Sequence, residues 1–223
     1  SRPGGSADDA LMMLGCVTVR TLVISSGLTS GFKSMAGLDV NKFWRYSLHT
    51  AAISRWLAKA SGQNIDQSFT VGLMHAIGQL VMHAGMPEQM LHLDKMGGPL
   101  DPRRFDMETS SFGYNFATVG AELARQWKFP PAFIQAIAQF PEPLSHTPVD
   151  KVAAIIHLAA WRARAEHNEL TSEEMAVTVP DGVCQVLGLP AAKFLQDLPP
   201  LAELCEGLEA LLGEDQLGDG DHE

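Results

Sequence analysis

The sequence predicts an all-α protein, and two observations carry this prediction. Apolar residues recur three and four positions apart through most of the 223-residue chain, which places them on one face of successive helices. Residues that favour helix starts and helix ends separate these apolar runs. The best candidate for a strand is the segment EMAVTVP at 174–180, which is too short to form a sheet alone. We therefore expect a multi-helix bundle.

In the N-terminal half, each predicted helix begins near a polar residue and ends at a glycine. The first three run from Ser6 to Gly27, from Asp39 to Gly62 and from Asp66 to Gly85. The second helix carries an apolar stripe of Trp44, Leu48 and Trp56. The small pair Ala51-Ala52 lies on the same helix, and small side chains let another helix approach closely. We therefore expect this helix to lie at the centre of the bundle.

The C-terminal half contains further predicted helices with different start signals. Pro87 fits the first position of a short helix that ends by Gly97-Gly98. Thr147, Pro148 and Asp150 are typical of the start of a longer one. The other segments with helical spacing are 108–127, 132–140, 148–167, 181–187, 191–197 and 200–212.

The predicted core consists of the apolar side chains that repeat on these helix faces. Its members are Leu14, Trp44, Leu48, Ala52, Leu73, Ile77, Leu80, Val119, Leu123, Ile137, Val152 and Ile156. We expect residues 1–212 to form one helical domain. We expect residues 213–223 to form a disordered acidic tail, because this segment lacks an apolar anchor.

Composition excludes several classes of function. The formal net charge of −10 opposes binding to a phosphate backbone, so we expect no nucleic-acid partner. No apolar run reaches the length of a membrane span, and the N-terminus lacks the pattern of a signal peptide. The three cysteines are far apart and form no CxxC pair, which favours reduced thiols. These features predict a cytoplasmic protein.

The segment LMHAIGQL at 73–80 raises the question of a metal site, because His75, Gln79 and His83 share one stripe of a helix. Two imidazoles can ligate Zn²⁺ or Fe²⁺, but a catalytic site normally needs at least three protein ligands. No carboxylate lies on this stripe, and HExxH is absent. The sequence therefore favours polar residues at a helix–helix seam over a metal site.

Other histidines fit structural positions as well as chemical ones. His49 could face His75 across a helix interface, while His157 lies between apolar residues and fits a hydrogen-bonded core position. His92 and His167 are predicted to be exposed near helix ends. The sequence contains no GxSxG, no GxGxxG and no phosphate-binding loop ending in Lys-Ser or Lys-Thr. No nucleophile or nucleotide motif is thus present.

Four segments in order carry a resemblance to a known family. They are LMMLGCVTVRTLVISS, FWRYSLHTAAISRWLA, FTVGLMHAIGQLVM and FGYNFATVGAELARQWKFPPAFIQAIAQF. The set resembles HDOD domains, the helical output domains of bacterial signalling proteins, which are related to the HD metal-dependent phosphohydrolases. The resemblance implies a bundle of the HD/HDOD type. HDOD domains usually carry helices upstream of the first segment, so we expect this chain to lack them.

The resemblance also allows the metal ligands of the HD enzymes to be placed on this sequence. Those enzymes hold metal through a His, an adjacent His-Asp pair and a distant Asp. The positions of the pattern correspond to Tyr46, His75-Ala76 and Ala160; further family positions fall on Gln79, Phe116, Gln139 and Phe140. Only His75 remains, so the resemblance implies a vestigial site with no metal, no cofactor and no catalytic residue.

We therefore predict a non-catalytic regulatory domain that acts through a protein partner or a linked signalling domain. One alternative is a metal-dependent phosphohydrolase with a rearranged site, in which His49, His75 and His83 supply nitrogens and His157 or a loop aspartate completes the set. Another is a sensor of a small ligand or nucleotide that uses Arg45 or Arg55. The signal, the partner and the oligomeric state do not follow from the sequence.

Overall fold

The computed structural model describes residues 37–208, and every regular element in this range is helical. The α-helices are α1 (Val40–Ser61), α2 (Ile65–Met74), α3 (Ile77–Gly85), α4 (Pro87–Asp94), α5 (Arg104–Phe112), α6 (Phe116–Gln126), α7 (Pro131–Gln139), α8 (Lys151–His167), α9 (Ser172–Thr178), α10 (Asp181–Leu187), α11 (Ala191–Asp197) and α12 (Leu201–Leu204). A 3₁₀ turn, Pro143–Ser145, precedes α8. The predicted all-α class is confirmed.

Helix α1 shows why the predicted boundaries hold where the capping residues are unambiguous. The Asp39 side chain accepts a hydrogen bond from the backbone N–H of Lys42 at 2.9 Å, which satisfies one of the free donors of the first turn. Gly62 ends the helix in the left-handed conformation at φ 67°. Helices α10 and α11 also have the predicted bounds. The predicted first helix, 6–26, and the acidic tail lie outside the described residues.

Two predicted helices are interrupted, which corrects the sequence interpretation. The segment 66–85 divides into α2 and α3 at His75-Ala76, where Ala76 has φ −104° and ψ 7°. The segment 108–127 divides into α5 and α6 at Gly113, which has φ 77°. Asn115 then caps α6 by accepting from the N–H groups of Ala117 and Thr118. A local capping signal therefore overrides a continuous apolar stripe.

The start of α8 and the segment 174–180 also differ from expectation, because capping residues decide where these helices begin. Helix α8 begins at Lys151, because Asp150 is extended and its side chain accepts from Val152 and Ala153 N–H. The strand candidate forms most of α9, which begins with a reciprocal capping box between Thr171 and Glu174. The alternating valines of this segment do not mark a strand, because they lie on or next to a helix on which Val177 is 85% exposed.

Helices α1, α2 and α8 form the centre of the bundle, and α3 packs on α6 beside them. Glycines permit the two closest approaches. A Cβ on Gly72 would lie 2.9 Å from the Ala51 Cα of α1, and a Cβ on Gly78 would lie 2.9 Å from the Gly120 nitrogen of α6. The predicted small-residue contact of α1 is therefore present.

The predicted core is largely confirmed among the described residues. Buried members are Leu48, Ala52, Leu73, Ile77, Leu80, Ile137, Val152 and Ile156. Trp44, Val119 and Leu123 are half-buried instead. On α6 the fully buried face is Ala117, Gly120 and Ala124, because only small residues fit against α3. Leu14 lies outside the described residues. No helix within 37–208 is long and apolar enough to span a membrane.

Candidate functional site

His75 lies in the break between α2 and α3 and is 1% exposed. Its Nδ1 lies 2.6 Å from the carbonyl oxygen of Gly72, so Nδ1 carries the proton and donates. In a continuous helix that oxygen would accept from the N–H of Ala76. The imidazole thus competes for the backbone acceptor at the point where the helix breaks.

The other nitrogen of His75, Nε2, is buried and has no hydrogen-bond partner. The imidazole ring packs against two aromatic rings: its centroid lies 5.0 Å from that of Tyr46, in an edge-on arrangement, and 5.3 Å from that of Phe140. The Phe116 ring packs on Phe140 at 5.9 Å. We call His75 with Tyr46, Phe116 and Phe140 the His75 pocket. The side chains that contact the imidazole in this pocket are aromatic.

Burial lowers the pKa of His75 to about 3, and the nearby guanidinium of Arg164 lowers it further, while the bond to Gly72 opposes the shift. Arg164 also donates a hydrogen bond to the Tyr46 hydroxyl at 3.3 Å. His75 is therefore a neutral side chain at physiological pH. The His75 pocket holds a positive charge at its edge, which repels a metal ion.

The residues at the HD ligand positions do not fit a metal ion. Ala76 and Ala160 are buried and offer no donor atom, and Tyr46 offers a phenol that already accepts from Arg164. One imidazole nitrogen remains, whereas stable sites use at least three protein ligands. Within residues 37–208, no group of three or more His, Cys, Asp or Glu side chains is placed to share a metal.

His49 lies beside His167, which sequence reasoning had treated as exposed. The rings are 5.1 Å apart and inclined at 43°, and His167 also packs edge-on against Tyr46 at 5.9 Å. His167 is half-buried, which corrects that expectation. It follows Ala160 and Ala163 on the buried face of α8 by helical spacing, and this signal could have located it.

His83 and His157 each bond to a backbone carbonyl, and the carbonyl that His157 reaches belongs to Phe140 of the His75 pocket. Nδ1 of His83 donates to the carbonyl of Gln79 at 2.7 Å, and its Nε2 lies 3.0 Å from the carboxylate of Asp94. His157 donates from Nδ1 to the carbonyl of Phe140 at 2.9 Å, and burial lowers its pKa. The structure therefore does not bring His49, His75 and His83 together as one ligand set.

A second buried polar cluster was missed by sequence reasoning. Arg104 is 2% exposed, and it donates to Glu108 at 2.7 Å and to Asp94 at 2.5 Å. Gln79 donates to the same Glu108 oxygen at 2.8 Å. We call Arg104, Glu108, Asp94, Gln79 and His83 the Arg104 network. Gln79 and His83 therefore do contact carboxylates, but these belong to other helices: Glu108 lies on α5 and Asp94 on α4.

The Arg104 network also bonds to the backbone at the start of α6 and in the loop that follows α4. The second oxygen of Glu108 accepts from the Phe116 N–H at 2.6 Å, and Arg104 donates to the Gly97 carbonyl at 2.8 Å. Burial raises the pKa of Glu108, while Arg104, the Phe116 N–H and Gln79 oppose that rise. The i, i+4 spacing of Arg104 and Glu108 was the available sequence signal. The burial of this pair could not be read from neighbouring residues, because Arg103 and Thr109 are exposed and Phe105 and Met107 are half-buried.

Comparison with known proteins identifies the family. The model of the HDOD domain matches residues 2–143, which is more than half of the chain. The chain belongs to the HDOD domain family. The all-helical fold of residues 37–208 of this HDOD domain agrees with that assignment.

Individual relatives are distant. An "Uncharacterized protein" of Treponema pallidum (strain Nichols) is 28% identical over 144 residues, covering 63% of this chain and 27% of that relative. The chain thus spans about a quarter of that protein. The crystal structure of a "Putative phosphohydrolase" from Shewanella amazonensis SB2B is 28% identical, with a TM-score of 0.64 over 95% of this chain and 77% of the other. The MmoQ response regulator of Methylococcus capsulatus str. Bath is 23% identical, with a TM-score of 0.54 over 87% of this chain and 76% of that chain, and shows the shared fold.

Proposed function

We propose that this HDOD domain is a non-catalytic regulatory domain of signal transduction, which acts by contact with a protein partner or a linked signalling domain. The observation that carries the proposal is the composition of the His75 pocket. Tyr46, Ala76 and Ala160 stand at positions where the HD enzymes have ligands, and the remaining imidazole packs against the rings of Tyr46 and Phe140.

Hydrolysis of a phosphoester by the HD mechanism needs a metal that activates water. One neutral imidazole cannot hold a divalent ion at useful affinity, and the rings of Tyr46 and Phe140 leave an apolar surface around it. Arg164 adds a positive charge nearby. The region is therefore suited to packing and not to hydrolysis.

Contact with a protein partner is supported by the charge of the chain. A net charge of −10 favours a partner with a basic face and disfavours nucleic acid. The family and the response regulator that shares its fold both fit a signalling role. A partner found in cell extract should be purified and mixed with this domain. We expect a stoichiometric complex that weakens with added salt and that His75→Ala does not change.

The catalytic question is tested with purified protein and simple phosphomonoesters and phosphodiesters in the presence of Mg²⁺, Mn²⁺, Fe²⁺ or Co²⁺. We expect no turnover above the background rate, and the same background for His75→Ala. The matched control is His92→Ala, which removes an exposed histidine on α4. Turnover that His75→Ala abolishes and His92→Ala preserves would overturn the proposal.

The alternative is a phosphohydrolase with a rearranged metal site, and the relative from Shewanella amazonensis SB2B favours it by its name. Against it, both nitrogens of His83 already face acceptors, and Nδ1 of His157 is bonded to Phe140. Elemental analysis of the purified protein separates the two. About one transition metal per chain, lost in His75→Ala, would support the alternative.

A further inference from the structure

The pair of His49 and His167 at the seam of α1 and α8 has unsatisfied polar atoms. The two rings are 5.1 Å apart, and neither Nδ1 of His49 nor Nε2 of His167 has a hydrogen-bond partner. Both atoms are buried. A buried nitrogen without a partner is costly, and such atoms in native proteins usually meet a water or a ligand.

Positive side chains gather around this pair. Burial lowers the pKa of His167 to about 4, with smaller contributions from His49, Lys42 and Arg45, and Glu166 opposes the shift. Burial also lowers the pKa of His49, where Glu166 opposes the shift and Arg45 and Arg162 add to it. Residues 42, 45 and 49 follow helical spacing, so the three side chains share one face of α1. The histidine pair therefore lies in a positive field.

Within residues 37–208, the carboxylate of Glu166 opposes this field. Glu166 is the carboxylate that acts on both histidines, and it is already paired with Arg162 at 2.9 Å. Lys42 and Arg45 are exposed, and neither forms an ion pair with another residue of the range 37–208. A local excess of cations is unusual on a chain of net charge −10. It opposes a metal ion and favours an anion.

We propose that the end of the α1–α8 seam binds an oxyanion of the phosphate class, with Lys42 and Arg45 supplying charge and His49 and His167 donating hydrogen bonds. A neutral imidazole carries one N–H, and both side chains are only half-buried, so each ring can donate one hydrogen bond at the surface of the seam. None of these four residues stands at a position matching an HD metal ligand. The inference is independent of the proposed regulatory function, because a non-catalytic domain and an enzyme could each carry this site.

The test is a titration of the purified 223-residue chain, followed by calorimetry and by NMR of the imidazole nitrogens. The probes are inorganic phosphate, sulfate, a nucleoside monophosphate and the matching nucleoside. We expect saturable binding of phosphate and sulfate, with shifts of the His49 and His167 signals. Lys42→Ala and Arg45→Ala, both at exposed positions that leave the core intact, should each weaken binding roughly tenfold.

The matched control is Lys59→Ala, which removes an exposed lysine from the other end of the same helix and should leave the affinity unchanged. Tighter binding of the nucleoside monophosphate than of phosphate, with the same dependence on Arg45, would identify a nucleotide as the source of the oxyanion. Equal affinity would identify the free ion. Absence of saturation, or equal losses in Lys59→Ala and Arg45→Ala, would overturn the proposal.

Discussion

The His75 pocket and the Arg104 network adjoin the same helix, α3, yet they keep buried polar groups in opposite ways. At the start of α3, His75 is neutral, lies among aromatic rings and leaves one nitrogen unpaired. One and two turns later, Gln79 and His83 enter a cluster in which Arg104 bonds to two carboxylates. In the first region the buried side chain is neutral, and in the second the buried charges are paired with opposite charges.

This difference shows which of the two regions depends on its polar groups. In the Arg104 network, removal of one member leaves another buried charge without a partner, which is far more costly than the loss of one hydrogen bond. In the His75 pocket, His75 bonds to the Gly72 carbonyl, and the Tyr46 hydroxyl accepts a hydrogen bond from Arg164 at the edge. Mutations should therefore be severe in the network, and in the pocket they should be severe only when they introduce a charge.

The largest effect is expected from Leu73→Asp, two residues before His75. Leu73 is 5% exposed, so the substitution places an unpaired carboxylate in the apolar region. The cost of such burial approaches the whole stability of about 5–15 kcal/mol of a typical domain. We expect loss of cooperative thermal unfolding by circular dichroism. Leu144→Asp, at a half-exposed leucine, should retain it; cooperative melting of Leu73→Asp would contradict the predicted burial.

Arg104→Ala is expected to be the next most damaging change. It leaves Glu108, which is buried, and Asp94, which is partly buried, without their guanidinium, and such a loss typically costs about 3–5 kcal/mol. The free energy of unfolding should be measured by urea denaturation. Arg103→Ala is the matched control, because Arg103 is the adjacent arginine and its side chain is 69% exposed. Similar losses in the two variants would show that the Arg104 network does not stabilise the fold.

The sequence predicted the His75 pocket better than the Arg104 network, for a physical reason. Apolar spacing and the family pattern located His75, Phe116 and Phe140, because core positions are periodic along a helix. Arg104 follows an exposed arginine, and its partner Asp94 precedes it by a ten-residue separation that includes a loop. Whether a charge is buried depends on contacts between distant segments, and no local pattern encodes them. The contact of His49 with His167 was missed for the same reason.

The boundaries of α1 were predicted from its capping residues Asp39 and Gly62, whereas the caps at Gly113, Asn115 and Asp150 were missed. The break at His75-Ala76 was missed, because no proline or glycine marks it. Its cause is the side chain of His75, which bonds to the Gly72 carbonyl. Such competition between a side chain and the backbone depends on a buried ring orientation that the sequence does not specify.

Gly78→Ala tests the contact that joins the two regions. Gly78 lies on α3 between His75 and His83, and an added Cβ would lie 2.8 Å from the Phe116 carbonyl carbon and 2.9 Å from the Gly120 nitrogen. Because these are backbone atoms, α3 and α6 must separate, at a cost of about 3 kcal/mol. Gly85→Ala is the matched control on the same helix: no atom lies within 4 Å of its Cβ. It should leave stability unchanged or raise it; equal effects in urea denaturation would contradict the close approach.

The smallest effect, and the one most specific to the His75 pocket, concerns pH. The pKa of His75 is about 3 in the folded protein and 6.5 in its ordinary state, so the unfolded chain holds more protons between these values. Acidification therefore favours unfolding: the stability is fully present above pH 6.5 and falls as the pH is lowered toward 3. At pH 5, the loss attributable to His75 is about 2 kcal/mol.

His75→Phe removes this proton site and keeps a flat ring among Tyr46 and Phe140. The difference in free energy of unfolding between the variant and the unaltered protein should shift by about 2 kcal/mol in favour of the variant from pH 7 to pH 5. His49, His157 and His167 remain in both proteins, so their own titrations cancel in the difference. His92→Phe, at an exposed position, measures the change caused by removing any histidine. The pH-dependent shift in the free energy of unfolding for His75→Phe could prove no larger than for His92→Phe. That result would mean that water or a proton reaches the His75 ring, so that the pocket is not dry and the imidazole does not stay neutral.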